Sequence, residues 1–479
     1  MAVYGEGGEG AAGRVRRRRM RMRRIGAMCC CLMAMLGMLC LPALSAAEVE
    51  AHEVISDVIR VDSAVSGEEL FGEYAWRQLY PQKDAQPRGT LARDGLSAEE
   101  QAVYDVLKPG VEDVAAGRRA SSEFDAVRTA VYTAQDLGLD SILKLDENGN
   151  YVIENGYAVL DPAAREAARA AFFAQMDAQR LLLALLHDCP YELYWFHKAT
   201  GMKTWTSFRA TAQTLTVSLK LAFTVGAPYR ADALYTADTS RTGAAAAASA
   251  QARAIVQKYS GLSDDEKLKA YRDEICALVS YDHHAAQTEG YSATDGNPWQ
   301  LIYVFDGDVA TNVVCEGYAK AFQYLCDLSE FESAVRCQSV TGTLSSSAGG
   351  GPHMWNIVTM ADGKNYPIDL TNSDAGEDGS LGGLFMNAPE AGGSIQDGYS
   401  FARGEYGTVH YAYDEATRAL WGTDEDSILR LCDAGYAQSP VAPGGALPKT
   451  GDSSDLLLWL LVFAGCAAGA LMLSRHKRR

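Results

Sequence analysis

The fold of this chain is decided by residues 313–326, which read VVCEGYAKAFQYLC. From Cys315 onward, apolar residues recur at 318/319, 322 and 325/326, and this spacing predicts a helix with one buried face. The preceding residues 306–312, DGDVATN, are typical of an irregular turn. We therefore expect Cys315 in the first turn of the helix, where the helix dipole and free backbone N–H groups stabilise a thiolate.

A nucleophilic cysteine needs a base that accepts its proton, and usually a third group that orients the base. Of the seven histidines that precede the C-terminal tail, His353 stands out, because it follows a serine- and glycine-rich segment and begins a strand-like run. Asp362-Gly363 predicts a hairpin turn after that run, and the returning strand carries Asp369. The hairpin would place Asp369 beside His353, where it could hold the tautomer of the imidazole.

The loop of this hairpin decides whether the two side chains share a face. With a two-residue loop, Asp369 pairs with Asn356 and points away from the face of His353, because side chains alternate along a strand. A three-residue loop, or a bulge near Pro367, moves Asp369 onto the face of His353, and proline is tolerated chiefly at edges and bulges. The sequence therefore predicts a bulged or odd-looped hairpin, and a regular two-residue hairpin would exclude a Cys-His-Asp triad.

These motifs resemble the transglutaminase-like superfamily, which has a papain-like fold. The likeness covers about residues 262–390 and rests on VCEGYA at 314–319, VTG at 340–342, HMWN at 353–356 and the aspartate strand at 362–371. It implies an α+β fold in which the helix bearing the cysteine packs on an antiparallel sheet. It also implies Cys315 as the nucleophile, His353 as the general base and Asp369 as the residue that orients it.

Three further positions bear on the resemblance. Tyr281 and Trp299 are similar to the upstream segment of the family. Asn372 departs from it, because an aromatic residue commonly stands at that position. We expect Asn372 to change the rim of the cleft and to leave the triad unaffected.

A triad of this kind predicts an acyl-thioester mechanism on amide bonds of proteins or peptides. The acyl group would pass to water, as in a protease or amidase, or to an amine, as in a transglutaminase; amides of wall peptides are a further possible substrate. The alternative hypothesis is a wall-displayed adhesion or scaffold protein with a non-catalytic transglutaminase-like domain.

We expect no cofactor or metal, because no C-x-x-C pair is present and the acidic loop 374–379 lacks the spacing of a calcium loop.

The N-terminus predicts export. Eight arginines between residues 14 and 24 precede an apolar run, Ile25 to Leu44, and small residues follow at 45–47. This order is typical of a secretory signal peptide, here residues 1–47. The alternative is an N-terminus that stays anchored in the membrane.

The C-terminus predicts attachment to a cell wall. The pentapeptide LPKTG at 447–451 precedes an apolar run at 456–473, long enough to span a membrane, and a basic tail. This order resembles the LPxTG sorting signal of Gram-positive surface proteins, here residues 447–479. The resemblance implies that a sortase cuts between Thr450 and Gly451 and joins Thr450 to peptidoglycan. A plain membrane helix after a chance pentapeptide is the alternative.

The charge of the chain argues against nucleic acid as a partner. Residues 47–450 hold 31 basic and 57 acidic side chains, which gives a net charge near −26. Such a surface repels a phosphate backbone and suits a solvated exterior. We therefore expect a protein or peptide substrate, a sortase during export, and a secreted, wall-linked location.

Between the two signals, we expect an α-rich accessory domain at 48–240, a transglutaminase-like domain at 241–435 and a Pro/Gly spacer at 436–446. Capping patterns predict helix starts after Ser97, Asp161 and Ser263. We expect the first of these helices to end before Pro109 and the second to run from residue 162 to residue 186. Six of the eleven cysteines fall between the signals, at 189, 276, 315, 326, 337 and 432. If Cys315 is a free thiol, five remain, so at least one of these is also unpaired. The pairing of the others is left open.

Overall fold

The computed structural model describes residues 51–59, 91–198, 200–287, 299–347, 349–374, 384–402 and 407–436. The predicted signal peptide, all but the first residue of the predicted spacer, and the predicted sorting signal with Thr450, Gly451 and the segment 456–473 lie outside these residues. Among the described residues, no helix is both long and apolar enough to cross a membrane.

The described chain up to residue 240 forms an antiparallel sheet with helices beside it. Its elements are β1 (Ala51–Ile59), α1 (Ala98–Ala115), β2 (Glu123–Thr133), β3 (Ile153–Glu154), β4 (Tyr157–Ala158), α2 (Pro162–Phe173), α3 (Ala178–Asp188), β5 (Met202–Ala210) and β6 (Thr214–Phe223). The sheet has the strand order β1-β5-β6-β2, and β3 and β4 form a separate pair.

The rest of the described chain places one buried helix on a second antiparallel sheet. Its elements are α4 (Gly243–Lys258), α5 (Asp264–Leu278), β7 (Ser280–Tyr281), α6 (His283–Gln287), β8 (Asn312–Val313), α7 (Cys315–Asp327), β9 (Arg336–Ser346), β10 (Gly349–Thr359), β11 (Asn365–Ile368), β12 (Tyr399–Ala402), β13 (Thr408–Tyr413) and α8 (Glu415–Trp421). The sheet order is β11-β10-β9-β13-β12, and α7 packs on β9 and β10. The fold is therefore mixed α and β.

Helix starts were the most predictable elements, because capping is a local interaction. Ser97 and Glu100 form a capping box at the start of α1, and Ser263 and Glu266 do the same for α5. Asp161 caps α2, with proline at its first position. These starts were read from the sequence and are confirmed.

Two helix ends were predicted wrongly. Helix α1 was expected to end before Pro109 but continues to Ala115, since Val111 and Val114 are buried in the core. An interior proline costs about 3 kcal/mol, and burying two valines offsets it at roughly 1.5–3 kcal/mol each. The helix expected to run from 162 to 186 is two helices, because Asp177 accepts hydrogen bonds from two backbone N–H groups and starts α3 anew.

The described part of the region 48–240 is not α-rich as expected, because it contains the four-stranded sheet. Strand β5 alternates regularly between buried and less buried residues, but Thr204 and Thr206 occupy buried positions, so hydrophobicity alone hides the pattern. Strand β2 has a bulge between Phe124 and Arg128, where Ala126 has a φ of 48°. The bulge breaks the two-residue period on which strand prediction depends.

One hydrophobic core includes buried residues from Ala92 to Leu431, on both sides of the predicted boundary at 240/241. Helix α4, just after that boundary, packs against α7. Gln323 of α7 donates a hydrogen bond of 2.6 Å to the backbone oxygen of His187 in α3. The elements before residue 240 therefore support the cysteine helix directly, while the domain division itself stays a prediction.

Gly342 is required where β9 meets β13. A Cβ atom at this position would lie 2.0 Å from the backbone oxygen of Ala412 and 3.0 Å from the Trp355 ring. We expect Gly342→Ala to lower the free energy of unfolding by about 3 kcal/mol, because the two strands must separate to admit the methyl group. Urea unfolding would measure this. Gly351→Ala on the paired strand is the control, since nothing lies within 4 Å of its added Cβ, and an equal loss in both variants would contradict the prediction.

Candidate active site

Cys315 is the first residue of α7, as predicted. Val314 is the N-cap residue and makes no side-chain capping bond. The cysteine is 8% exposed and lies at the wall of a cleft. The positive end of the helix dipole and the N–H groups of the first turn therefore face the sulfur.

The hairpin between β10 and β11 has a three-residue loop, which confirms the prediction of a bulged or odd-looped hairpin. Asn356 pairs with Ile368 and Thr359 with Asn365, and Met360 donates its backbone N–H to Lys364 across the loop 361–363. Gly363 has a φ of 71°, as such loops require. Continuing this register places Asp369 opposite Trp355, two residues from His353 and on the same face.

His353 and Asp369 form a buried pair. The His353 Nε2 atom lies 2.7 Å from Asp369 Oδ2, and the two side chains are 6% and 1% exposed. Because Nε2 donates to the carboxylate, Nδ1 is the ring nitrogen left to face Cys315. The structure thus brings together all three residues that the sequence singled out.

Two further residues hold the carboxylate of Asp369. The Tyr411 hydroxyl donates to Oδ2 at 2.6 Å. Asn372 donates its side-chain amide to Oδ2 at 2.7 Å and its backbone N–H to Oδ1 at 3.1 Å. Asn372 was expected to affect the rim alone. It does line the cleft, but it also contacts the triad, so that expectation was wrong.

These contacts raise the pKa of His353 and lower the pKa of Asp369, so both shifts favour an ion pair between them. Burial alone would lower the pKa of His353, but the charge of Asp369 and hydrogen bonds with Asp369 and Cys315 outweigh burial and raise it to about 10. Burial alone would raise the pKa of Asp369, but His353, Tyr411 and Asn372 lower it to about 2. An imidazolium facing Cys315 favours the thiolate.

Aromatic rings close the site behind the histidine. Trp355 stacks on His353 with ring centroids 6.0 Å apart and an interplanar angle of 16°. Tyr413 stacks on the same tryptophan, and Tyr411 meets it edge-on. These rings fix the plane of the imidazole and keep water from the His353–Asp369 bond.

The cleft in front of Cys315 and His353 has a volume of about 390 Å³. Apart from those two, the described residues that line the cleft carry no charged side chain: they are Tyr281, Ala285, Ala286, Trp299, Val314, Leu344, Ser346, Gly349, Gly350, Gly351, Pro352, Asn372 and Val409. Tyr281 and Trp299, taken from the sequence as an upstream family segment, therefore do lie at the cleft. A neutral cleft of this size suits an uncharged group such as an amide.

Sequence reasoning missed Tyr411, because it lies on β13, 42 residues after Asp369. Its alternating strand, TVHYAY at 408–413, was the available signal, but nothing local identified its partner. It also missed Lys198, whose ammonium group binds Glu316 next to Cys315.

We expect Tyr411→Phe to slow turnover by about tenfold, since a hydrogen bond to a charged group is worth roughly 1.5–3 kcal/mol and Asp369 retains its other donors. The rate of acylation, measured at substrate saturation, checks this. Tyr413→Phe is the matched control on the same strand, because its hydroxyl donates to the backbone oxygen of Leu429 instead. Equal losses in both variants would show that packing, not the bond to Asp369, is responsible.

Comparison with known proteins gives little further support. No protein-family model matches the chain, and no curated protein matches it. Among solved structures, it is similar to one described as the crystal structure of a TGase, with a TM-score of 0.25 and 14% identity, over 49% of this chain and 64% of that one. The chain thus spans less than two thirds of that protein, and the chemistry must be inferred from the site geometry.

Proposed function

We propose that the protein is a transglutaminase-like cysteine enzyme with a papain-like core, which acts on amide bonds of proteins or peptides. The observation that carries the proposal is the buried hydrogen bond between His353 and Asp369 on the face of the sheet that meets Cys315. A histidine held in one tautomer beside a cysteine at a helix start is the arrangement that nucleophilic catalysis requires.

The mechanism follows from the roles of the three side chains. Nδ1 of His353 accepts the proton of Cys315, and the thiolate sulfur attacks the amide carbon. The backbone N–H of Cys315 helps to bind the oxygen on which negative charge develops. The protonated His353 then gives its proton to the leaving amine, and the C–N bond breaks to leave an acyl-thioester. Water or a second amine, deprotonated by His353, attacks that thioester and regenerates the thiol.

Product analysis tests the proposal. The purified protein would be incubated with peptide amides, with muropeptides, and with glutamine-containing peptides plus an amine donor, and products read by mass spectrometry. Hydrolysed amides would indicate a protease or amidase, and amine adducts a transglutaminase. If no product forms and a thiol-reactive probe fails to label Cys315 at neutral pH, the chain is better described as an adhesion or scaffold protein.

We further propose that the protein is secreted and joined through Thr450 to the peptidoglycan of a Gram-positive bacterium. The order of pentapeptide, apolar run and basic tail supports this. The test is cell fractionation: the protein should stay with walls boiled in detergent and be released by a wall hydrolase. Deleting residues 447–451 should move it out of the wall fraction, and retention there would contradict the proposal.

A further inference from the structure

A cluster of buried charges lies beside Cys315. Lys198 Nζ lies 2.5 Å and 2.6 Å from the two carboxylate oxygens of Glu316, and Lys320 Nζ lies 2.7 Å from Glu316 Oε1. The side chains of Lys198, Glu316 and Lys320 are 13%, 1% and 8% exposed. Glu316 is the residue after Cys315, so the cluster sits at the same helix start.

The cluster has one positive charge in excess. Glu316 and Lys320 are four residues apart on α7 and already balance each other. Lys198 adds a second ammonium group, and burying an unbalanced charge is expensive. Nearby His187 adds no charge at neutral pH, because burial lowers its pKa to about 4, with Lys320 acting in the same direction. His353 and Asp369 balance each other.

Among the described groups that interact with Lys198, Cys315 is the one besides Glu316 that can carry a negative charge. Lys198 interacts electrostatically with Cys315 as well as with Glu316 and Lys320. A thiolate at Cys315 would make the set neutral, whereas a thiol leaves it positive. Lys198 bonds to both oxygens of Glu316 and Lys320 bonds to one of them, so a single carboxylate serves two ammonium groups.

We propose that Lys198 is a positioning residue for the nucleophile, whose ammonium group stabilises the Cys315 thiolate. It acts through Cys315 and makes no contact with the substrate. The elements before residue 240 thereby contribute to the site, besides supporting α7. The proposal rests on the proposed function only in taking the thiolate as the reactive form.

The pH range of this effect follows from the environment of Lys198. Burial lowers the pKa of Lys198 to about 8, although Glu316 opposes the shift. The lysine is therefore charged below that pH and loses its charge above it, so its support for the thiolate is greatest in acid and neutral solution. Of the described residues, the titratable groups that face it are Glu316, Lys320, Cys315 and the neutral His187.

The experiment measures the rate at which iodoacetamide alkylates Cys315 in the full-length chain between pH 5.5 and 9.5, with the Cys315 peptide quantified by mass spectrometry. At pH 6, Lys198→Met should be alkylated about tenfold more slowly than the native protein, the order expected from losing one nearby charge in a partly buried site. Lys198→Arg should restore the native rate within about twofold. Above pH 9 the native and Lys198→Met rates should converge.

Two further variants keep the test decisive. Lys267→Met is the matched control, because Lys267 is 3% exposed and bonds to the Glu330 backbone oxygen, away from this cluster; its alkylation profile should be native. If Lys198→Met does not fold, Lys198→Gln replaces it and should also be alkylated about tenfold more slowly than the native protein at pH 6, because it removes the charge but keeps a polar end group.

The outcomes separate this proposal from the proposed function. A native alkylation profile in Lys198→Met, or in Lys198→Gln, would overturn the role of Lys198. A shifted profile in a protein that forms no product from any amide would support the role of Lys198 while contradicting the enzyme proposal. Alkylation needs no substrate, so the two results are independent.

Discussion

Replacing Cys315 by alanine is expected to abolish acylation, with turnover falling by roughly 10⁴- to 10⁶-fold, the order seen when a covalent nucleophile is removed. Cys315 is the only thiol among the described residues that line the cleft, and it lies there beside the base His353. The measurement is twofold: product formation at saturating substrate, and the mass of the acyl-enzyme trapped by acid quenching. The alanine variant should show neither.

The control for Cys315→Ala is Cys189→Ala, which removes another buried thiol. Burial raises the pKa of Cys189 far above its usual range, with Glu192 contributing in the same direction, so this thiol stays protonated and unreactive. Cys189→Ala should therefore keep the native rate. Turnover that survives in Cys315→Ala would show that another residue is the nucleophile, and an equal fall in both variants would indicate a general loss of structure.

The parts of this site that could be read from the sequence are those that depend on neighbours in the chain. The start of α7 at Cys315 follows from the spacing of apolar residues, and the shared face of His353 and Asp369 follows from the length of one loop. Each of these two features depends on a segment of fewer than about 20 residues. A hairpin is a local structure, so counting its residues is sufficient.

The parts that could not be predicted are those that depend on tertiary packing. Lys198 reaches Glu316 across 118 positions of sequence, and Tyr411 reaches Asp369 across 42. Nothing in the sequence near either residue specifies its partner. Likewise, helix α1 passes through Pro109 because the residues beyond it are buried, which outweighs local propensity.

Asp369→Asn is expected to lower turnover by about 10³- to 10⁴-fold while preserving the shape of the site. The asparagine amide can turn its N–H toward Nε2 of His353, and Nε2 must then accept that hydrogen bond. The ring proton therefore moves to Nδ1, and Nδ1 can no longer accept the proton of Cys315. Asp374→Asn is the control, because Asp374 is also buried and also accepts a tyrosine hydroxyl bond, from Tyr318 at 2.6 Å. Its turnover should stay near native, and a native rate in Asp369→Asn would exclude the orienting role.

Asp369→Asn should also change how the free energy of unfolding depends on pH, and the pKa shifts of Asp369 and His353 give the pH range of the effect. The lowered pKa of Asp369 means that its carboxylate stabilises the native state above its ordinary pKa of 3.8, and that this contribution is lost as pH falls through about 2. The raised pKa of His353 means that its contribution is complete below 6.5 and is lost as pH rises through about 10. Both contributions are present between pH 4 and 6.5.

The difference in unfolding free energy between the native protein and Asp369→Asn should therefore be largest between pH 4 and 6.5. We expect the native protein to be more stable there by about 3 kcal/mol, as for other broken buried pairs. Urea unfolding across pH 2–10 measures the difference, which should narrow toward both ends; a gap independent of pH would show that the two side chains are not an ion pair.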